Sequence, residues 1–447
     1  MPGRLRVPIA LALIVVAGGG LRGWQAAHPH IARASVDERV YAALARTIAE
    51  SRHYGDRTSG PRHPFIAAPG APFAFAAARR LTPSPHGSPT DIPAAYWLLA
   101  AVGTLLIVAT FALGRALDGD AAGLLAAGAV AFYPPLVRTT GQLLSEPFGA
   151  LALTLAVLTL VAGRQADRRL LLAGGGALLG VAALARGDLL VALLVCPLVL
   201  LALRAAAGGW RDGAFDAATV LAAGLLVVAP WVAYASVRTH SLVPIVETDA
   251  TTLLVGSYLP GDGSTTGFKR GFADETRARV PGLRGRSDLA IPGEAVIETV
   301  RARRPELGYR AALRAEALAN VRRYALGSPG AFAAMMARKA ARMWRRPSQA
   351  RSPAAAVIHA LVVGLALVGM LCGGVWGRRR GDLVLVASVV LASTLVHAVL
   401  VAQPRYALSV IALLAAGGAS GLVAAGRRVY AGSRSPRSRT TSRASVL

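Results

Sequence analysis

The apolar residues of this chain fall into long, nearly uninterrupted runs, and that feature constrains its fold more than any other. A helix needs about 20 apolar residues to cross a bilayer. Runs meeting or approaching that length lie near 6–22, 94–116, 121–137, 146–163, 170–186, 188–206, 217–237, 353–375, 382–402 and 405–426. Backbone in hydrocarbon must satisfy its own hydrogen bonds, so such runs become helices. Of the 447 residues 54% are hydrophobic and only 16% charged, against roughly 25% in soluble domains. One water-soluble core cannot hide so much apolar surface. The sequence predicts an all-α polytopic membrane protein with about ten transmembrane helices.

Charge placement orients that protein. The formal net charge is +26, but lysine occurs only at Lys269 and Lys339, so all but two of the 49 basic residues are arginine. An arginine bias beside abundant alanine and glycine reflects coding composition and does not argue for nucleic acid. With a cytoplasmic N-terminus, Arg115, Arg164, Arg168, Arg169, Arg204, Arg211 and Arg378–Arg380 fall in inner loops. The short outer loops keep only Arg138, Arg186 and Arg405, as the positive-inside rule requires. Both termini then lie inside, and segments 23–93 and 238–352 are extracytoplasmic loops, long enough to be exempt from the rule.

The first run, within 1–22, reads as an uncleaved anchor in preference to a cleaved signal peptide; both send the next segment outward. Helices 2–7 occupy 94–237 and helices 8–10 occupy 353–426. The tail 427–447 is basic and low in complexity, and is expected to be disordered near anionic inner-leaflet lipid. Cys196 and Cys372 lie inside apolar runs and read as small buried thiols. Gly176 and Gly180 form a GxxxG that reads as a helix-packing face.

Polar residues collect at the outer ends of the spans. Asp37 and Glu38 lie in the first outer loop, Glu146 opens the fourth span, Arg186 and Asp188 sit in the next outer turn, and Arg405 and Tyr406 begin the last span. The inner ends show no comparable acidic set. Charge at membrane depth is costly and usually pairs or lines a polar cavity, so these groups are expected to share one. Each also has a plainer reading. Arg186 and Arg405 can snorkel to headgroups, and Glu146 can cap its helix beside Ser145. Asp37 and Glu38 can form a solvated first turn. Ser35 or Asp37 caps a helix whose Val40, Tyr41, Leu44, Ala45 and Ile48 follow helical spacing, which would lie in the interface. After Pro61, Pro64, Pro69, Gly70 and Pro72, a second short helix is expected from Phe73 to Leu81. In the second outer loop, residues 247–293 read as an irregular ordered loop and 309–346 as helical. "PGAFAAMMARKAARMWRRP" there is an amphipathic basic helix.

Several stretches match a pattern in order and spacing. They are the outer "DE…Y…Y-G" segment, "HPFIAAPGAPFAFAAARRL", "GQLLSEPFGALAL", "ALARGDLLVALL", "VAPWVAYASVRTHSLVPIVETDATTLLVGSYLPG" and "QPRYALSVIALLAAGGASGL". Over nearly its whole length the chain thereby resembles the polyprenyl-phosphate-sugar glycosyltransferases of family 39, which have the GT-C fold. Protein O-mannosyltransferases and lipid A aminoarabinose transferases belong to that family. Departures occur at Ala68–Pro69–Gly70, where the family has PPG, and at Gly187, His240 and Ser409, where it favours proline, glycine and proline. These touch turns and leave the acids in place.

The resemblance implies a transferase that moves a sugar from a polyprenyl-phosphate donor to an acceptor hydroxyl, with inversion. Asp37 would be the general base, and Glu38 would orient the acceptor or help hold a divalent cation. The absence of a Walker or dinucleotide motif agrees, because nucleotide sugars are not found outside the cytoplasmic membrane. Arginine suits the departing phosphate through its planar fork, which makes Arg405 and Arg186 the candidates, with Lys339 a third. Tyr406 adds a hydroxyl contact or is an interface aromatic. Glu146 binds sugar hydroxyls or, with Asp37, a divalent metal, or it is a structural cap. The acceptor would be a protein, glycolipid or polysaccharide. A transporter or lipid flippase would need polar residues near span midpoints, for which His359 and His397 are the nearest candidates, both reading as packed histidines. A non-catalytic assembly partner with the same fold is the third class.

Overall fold

The computed structural model describes residues 6–29, 31, 34–55, 65–82, 88, 90–348 and 352–434. Arg4, the turn residues Pro61, His63 and Pro64, and 435–447 of the expected tail lie outside the described residues. Helix α1 (Arg6–Ala27) leads to two shorter helices, α2 (Val36–Ser51) and α3 (Gly70–Leu81). The bundle continues with α4 (Pro93–Asp118), α5 (Asp120–Ala131), α6 (Pro134–Arg138), α7 (Glu146–Ala166), α8 (Arg169–Ala185), α9 (Leu190–Ala206) and α10 (Trp210–Thr239). A unit outside the bundle holds α11 (Asp249–Ser257), α12 (Thr265–Gly271), α13 (Ala273–Arg279), α14 (Gly293–Arg301), α15 (Tyr309–Gly327) and α16 (Pro329–Arg345). Helices α17 (Pro353–Trp376), α18 (Arg380–Val399) and α19 (Ile411–Arg434) return to pack on the bundle. Among the described residues there is no strand.

Helices therefore occupy all ten expected runs, but not as ten equal spans. Among the described residues, seven helices are long and apolar enough to cross a membrane, and α5 with the turns after it makes an eighth only as a pair bent by 54°. The expected straight span 121–137 breaks there because Pro134 and Pro135 follow. Proline lacks the helical N–H and disfavours helix at the residue before it, and Tyr133 is extended at φ −75°, ψ 109°. The orphaned carbonyls at the break are met by a side chain. Helix α1 runs five residues past its expected end and buries Arg22, which donates to Ala131 O at 2.9 Å, Val130 O at 3.0 Å and Gly18 O at 2.9 Å.

The Gly176/Gly180 face packs as expected, against α10: a Cβ on Gly176 would come within 2.2 Å of Val220 O, and one on Gly180 within 2.7 Å of Gly224 O. Cys196 and Cys372 are free. One expectation is overturned. The end of the bundle opposite Glu146 carries its own acids, paired as Asp382–Arg164 at 2.6 Å, Asp216–Arg169 and Asp216–Arg204 at 3.2 Å, and Asp118–Arg427 at 2.5 Å. These residues tie helix ends together, with Asp216 shared between two arginines.

Residues 247–293 are also more regular than an irregular loop. Helices α11–α13 form there, and Leu254, Phe268, Ile291, Val296, Val300 and Leu313 build a separate small core. At the other side of the site, α3 starts three residues earlier than expected. Its Gly70 touches the end of α8, where a Cβ would lie 2.9 Å from Ala185 Cα. That contact sets α3 beside the residue that follows α8, Arg186.

Candidate active site

Seven separate stretches of the chain line one cavity of about 460 Å³, residues 66–68 and 246–252 among them. The first turn of α2 brings Asp37 and Tyr41 follows one turn on. The start of α7 brings Ser145 and Glu146, the end of α8 and the 3₁₀ turn Gly187–Leu189 bring Arg186 and Asp188, and the last turn of α18 brings His397. Arg405 and Tyr406 come from a 3₁₀ turn at Pro404–Ser409, since α19 begins only at Ile411. The expected last span from 405 is corrected accordingly: Pro404 starts a tight turn, and the two residues stand ahead of the helix.

The charges are interlocked. Arg405 Nη1 donates to Asp37 Oδ2, and its Nε lies 3.9 Å from Glu146 Oε1. That Nε is buried with no hydrogen-bond partner, a donor whose desolvation is uncompensated until an acceptor arrives. Arg186 reaches Glu146 Oε1 at 3.1 Å and holds Asp188 through Nε and Nη2, both at 3.1 Å. Burial acts to lower the Arg186 pKa, but the carboxylates of Asp188 and Glu146 outweigh it and hold the group above its usual range. Tyr41 donates to Ser145 Oγ at 2.9 Å. Burial, reinforced by Glu146, pushes its phenol up to about 12. Tyr406 lies under both guanidiniums, with Arg405 Cζ 5.3 Å and Arg186 Cζ 5.6 Å from the ring centre. The arrangement presents two fixed cations beside carboxylates in a half-open, largely apolar-walled space, suited to an anion attached to an apolar chain.

Of the residues expected here, Asp37, Glu146, Arg186, Arg405 and Tyr406 meet, and Glu38 and Lys339 do not. Glu38 Oε2 accepts from Ser35 N at 2.8 Å while Glu38 N donates to Ser35 Oγ at 3.3 Å, a complete capping box at the start of α2. Lys339 is fully buried, and its Nζ donates to Gly256 O at 2.8 Å and Val399 O at 3.1 Å. Burial, with Arg342 nearby, lowers its pKa from 10.5 to about 8 against the pull of Asp262. His397, expected as a packed histidine, is packed and also lines the cavity. A lone histidine in an apolar run carried no sign of this.

The two acids expected to take a divalent cation, Asp37 and Glu146, both face Arg405. Among the described residues, no group of three His, Cys, Asp or Glu side chains is placed to hold an ion. A divalent cation bound by these two acids would have to displace that guanidinium.

No family model and no curated protein match the chain. Solved structures do. The archaeal oligosaccharyltransferase AglB from Archaeoglobus fulgidus, in complex with an inhibitory peptide and a dolichol-phosphate, aligns over 96% of this chain and 51% of its own, with TM-score 0.56 and 13% identity. The Archaeoglobus fulgidus oligosaccharyltransferase in complex with zinc and sulfate aligns over 94% and 49%, with TM-score 0.52 and 15% identity. ArnT from Cupriavidus metallidurans bound to undecaprenyl phosphate aligns over 92% and 77%, with TM-score 0.44 and 17% identity. The chain spans about half the length of the oligosaccharyltransferases. At such identities the likeness to them is one of fold: the chain has the GT-C membrane fold expected from its sequence.

Proposed function

We propose that this multi-pass membrane protein is a glycosyltransferase that moves a sugar from a polyprenyl-phosphate donor to an acceptor hydroxyl, with inversion, at the outer face of the cytoplasmic membrane. The observation that carries this reading is the meeting of Asp37 and Glu146 with Arg186 and Arg405 in one cavity, from positions spread between residues 37 and 405. A neighbour in fold that is solved in complex with an inhibitory peptide and a dolichol-phosphate supports the donor class.

The steps follow from the ionic arrangement. The donor phosphate approaches the unpartnered Arg405 Nε and draws the guanidinium from Asp37. Asp37, released, takes the proton of the acceptor hydroxyl as its oxygen bonds the anomeric carbon from the face opposite the phosphate. The bond from that carbon to the phosphate oxygen breaks, and its electron pair leaves with the lipid phosphate, whose charge rises as Arg405 and Arg186 hold it. Preorganised cations in a water-poor cavity favour that charged state over the ground state. Glu146 stays between the two arginines and fixes their direction, and Glu38 acts by holding the turn that carries Asp37. The acceptor is a hydroxyl of a protein, glycolipid or polysaccharide. No step needs a metal ion.

The test is transfer of a labelled sugar from polyprenyl phosphate by the purified protein in lipid nanodiscs. Asp37→Asn is expected to lower turnover by about 10²–10⁴ while the protein keeps its fold and membrane insertion. Full turnover in that variant removes Asp37 from the mechanism, and no transfer by the parent protein to any envelope acceptor removes the reading itself.

A further inference from the structure

A second cavity, of about 280 Å³, lies in the unit outside the bundle. It borders the ionic cavity at Ile66, Thr248 and Thr252, which line both. Its floor is part of that unit's small core, with Val255 from α11, Phe268 from α12 and Ile297 from α14. Its rim is polar, and Glu247, Thr251 and Glu294 stand on it. The volume is near the lower end for ligand cavities, about 300 Å³, which suits one ring-sized group.

The rim offers a different chemistry from the ionic cavity. No arginine lines it, and its single cation, Lys269, donates Nζ to Leu289 O at 2.8 Å. Nothing there is set to hold a second phosphate. Glu247 is buried and fixed in direction, because its N donates to Phe65 O at 2.9 Å and its Oε2 accepts Phe65 N at 3.0 Å. Glu294 is exposed in the first turn of α14. Neither carboxylate is paired with a cation among the described residues. Thr252 Oγ1 donates to Thr248 O and Asp249 O, both at 3.0 Å, and keeps its lone pairs for an incoming donor.

Ionised carboxylates only accept hydrogen bonds, so this rim calls for a ligand rich in donors. An apolar floor under an accepting rim matches a sugar ring, which has an apolar C–H face and hydroxyls around its edge. A serine or threonine side chain brings one hydroxyl on one or two carbons and would leave the floor of Val255, Phe268 and Ile297 uncovered.

We propose that this cavity is the acceptor subsite and that the acceptor is a carbohydrate. The end ring of a glycan rests on Phe268, gives its hydroxyls to Glu247 and Glu294, and directs one hydroxyl past Thr248 and Thr252 into the ionic cavity. This rests on the transferase reading given above. Inversion requires the acceptor to lie on the side of the donor sugar away from the phosphate, and the second cavity meets the first outside the ionic set that would hold the phosphate. The bonds made and broken are those already described: the acceptor oxygen joins the anomeric carbon, its proton goes to Asp37, and the electron pair leaves on the lipid phosphate.

The test uses the full-length protein in nanodiscs with a labelled polyprenyl-phosphate sugar and three acceptors. They are a soluble oligosaccharide cut from an envelope polysaccharide, an envelope glycolipid, and a peptide containing serine and threonine. Transfer to the oligosaccharide or to the glycolipid is expected, and which of them is used tells the source of the carbohydrate. A Cβ at Gly293 on the cavity wall would meet nothing within 4 Å, so Gly293→Trp adds bulk there without crowding the backbone. It is expected to raise the acceptor KM at least about tenfold. Affinity for a polyprenyl methyl phosphate diester, which probes the ionic cavity, should stay near that of the parent. Where the tryptophan variant does not fold, Glu294→Gln decides, with an acceptor KM raised about threefold to tenfold, the worth of one hydrogen bond. A kcat/KM for the peptide equal to or above that for both carbohydrates overturns the proposal and leaves the transferase reading standing. A parental acceptor KM in the variants also overturns it, as does an equal loss of diester affinity, which would give the cavity to the donor. No transfer by the parent to any acceptor removes both readings.

Discussion

Arg405 is bonded to Asp37, 368 residues earlier in the chain, so the cation suited to hold a leaving phosphate is parked on the carboxylate suited to act as base. Neither can work while they hold each other. On the proposed reaction donor binding has to separate them, and this makes an unusual expectation for Asp37→Asn. Turnover should fall by about 10²–10⁴, the range for a lost general base, while the diester lipid binds as tightly as before or tighter, because Arg405 no longer has a competing partner. Binding measured beside turnover checks this. A parallel loss of both would make Asp37 a positioning residue only.

Glu38 separates cap from catalyst. Glutamine can close a capping box as glutamate does, so Glu38→Gln should keep both turnover and the melting temperature near those of the parent. Glu38→Ala leaves the Ser35 N–H without its acceptor and should cost about 1 kcal/mol, with reduced turnover because Asp37 lies in the same helical turn. Strong loss in Glu38→Gln with unchanged stability would return Glu38 to the chemistry.

The contrast between Asp37 and Glu38 also marks what was legible in the sequence. Ser35-Val36-Asp37-Glu38 is itself a capping-box pattern. Adjacent helical residues point about 100° apart, so one of the two acids had to turn away from any shared site. The resemblance favoured both; the local pattern chose. Arg186, Glu146 and Arg405 were readable because hydropathy placed them at the same ends of their spans, where charge is scarce. Lys339 and His397 were not. Each is one polar residue on an otherwise ordinary helix, and its role depends on which helix lies against it. Hydropathy does not report that pairing. The bend after α5 was written in Pro134 and Pro135, but a run of apolar residues on both sides concealed it.

Lys339 ties α16 to α11 and to the end of α18, just before Leu400 and Val401 on the cavity wall. Its pKa is lowered in the folded protein, from 10.5 to about 8, so between those values the unfolded chain binds more protons than the folded one. Stability should therefore rise as pH increases from about 8 to 10.5, and the gain is lost as pH falls back through the folded value. A neutral amine still has two N–H groups for the two carbonyls. Lys339→Met should flatten this part of the stability curve and lower stability above pH 10, because the carbonyls of Gly256 and Val399 lose their donor. Denaturant unfolding in mixed micelles across that pH window reads both effects.

Arg186 is the buried hub of the ionic set, bonded to Glu146, Asp188 and Ser145. Arg186→Met removes the cation that Glu146 and Asp188 share, and breaking a buried pair in this way costs about 3–5 kcal/mol. Arg186→Lys restores the charge but cannot span both acids with a planar fork, so it should recover most of the stability and little of the turnover. Equal recovery of both in Arg186→Lys would mean that the fork geometry is irrelevant to the reaction.

Arg22 provides the test furthest from the cavity. It is fully buried in α1 and completes the last turn of α5, whose carbonyls lose their helical partners where the chain bends at Tyr133. The bend in turn leads through α6 to the stretch that ends at Ser145 and Glu146, so the arginine supports the wall of the site from the neighbouring helix. Arg22→Met should cost about 2–6 kcal/mol, two unsatisfied buried carbonyls at about 1–3 kcal/mol each. It should also lower turnover through displacement of Glu146. Arg22→Lys, with an ammonium that can donate to two carbonyls, should recover part of that loss. A parental melting temperature in Arg22→Met would show that the carbonyls of Val130 and Ala131 find other donors, and that the bend holds without α1.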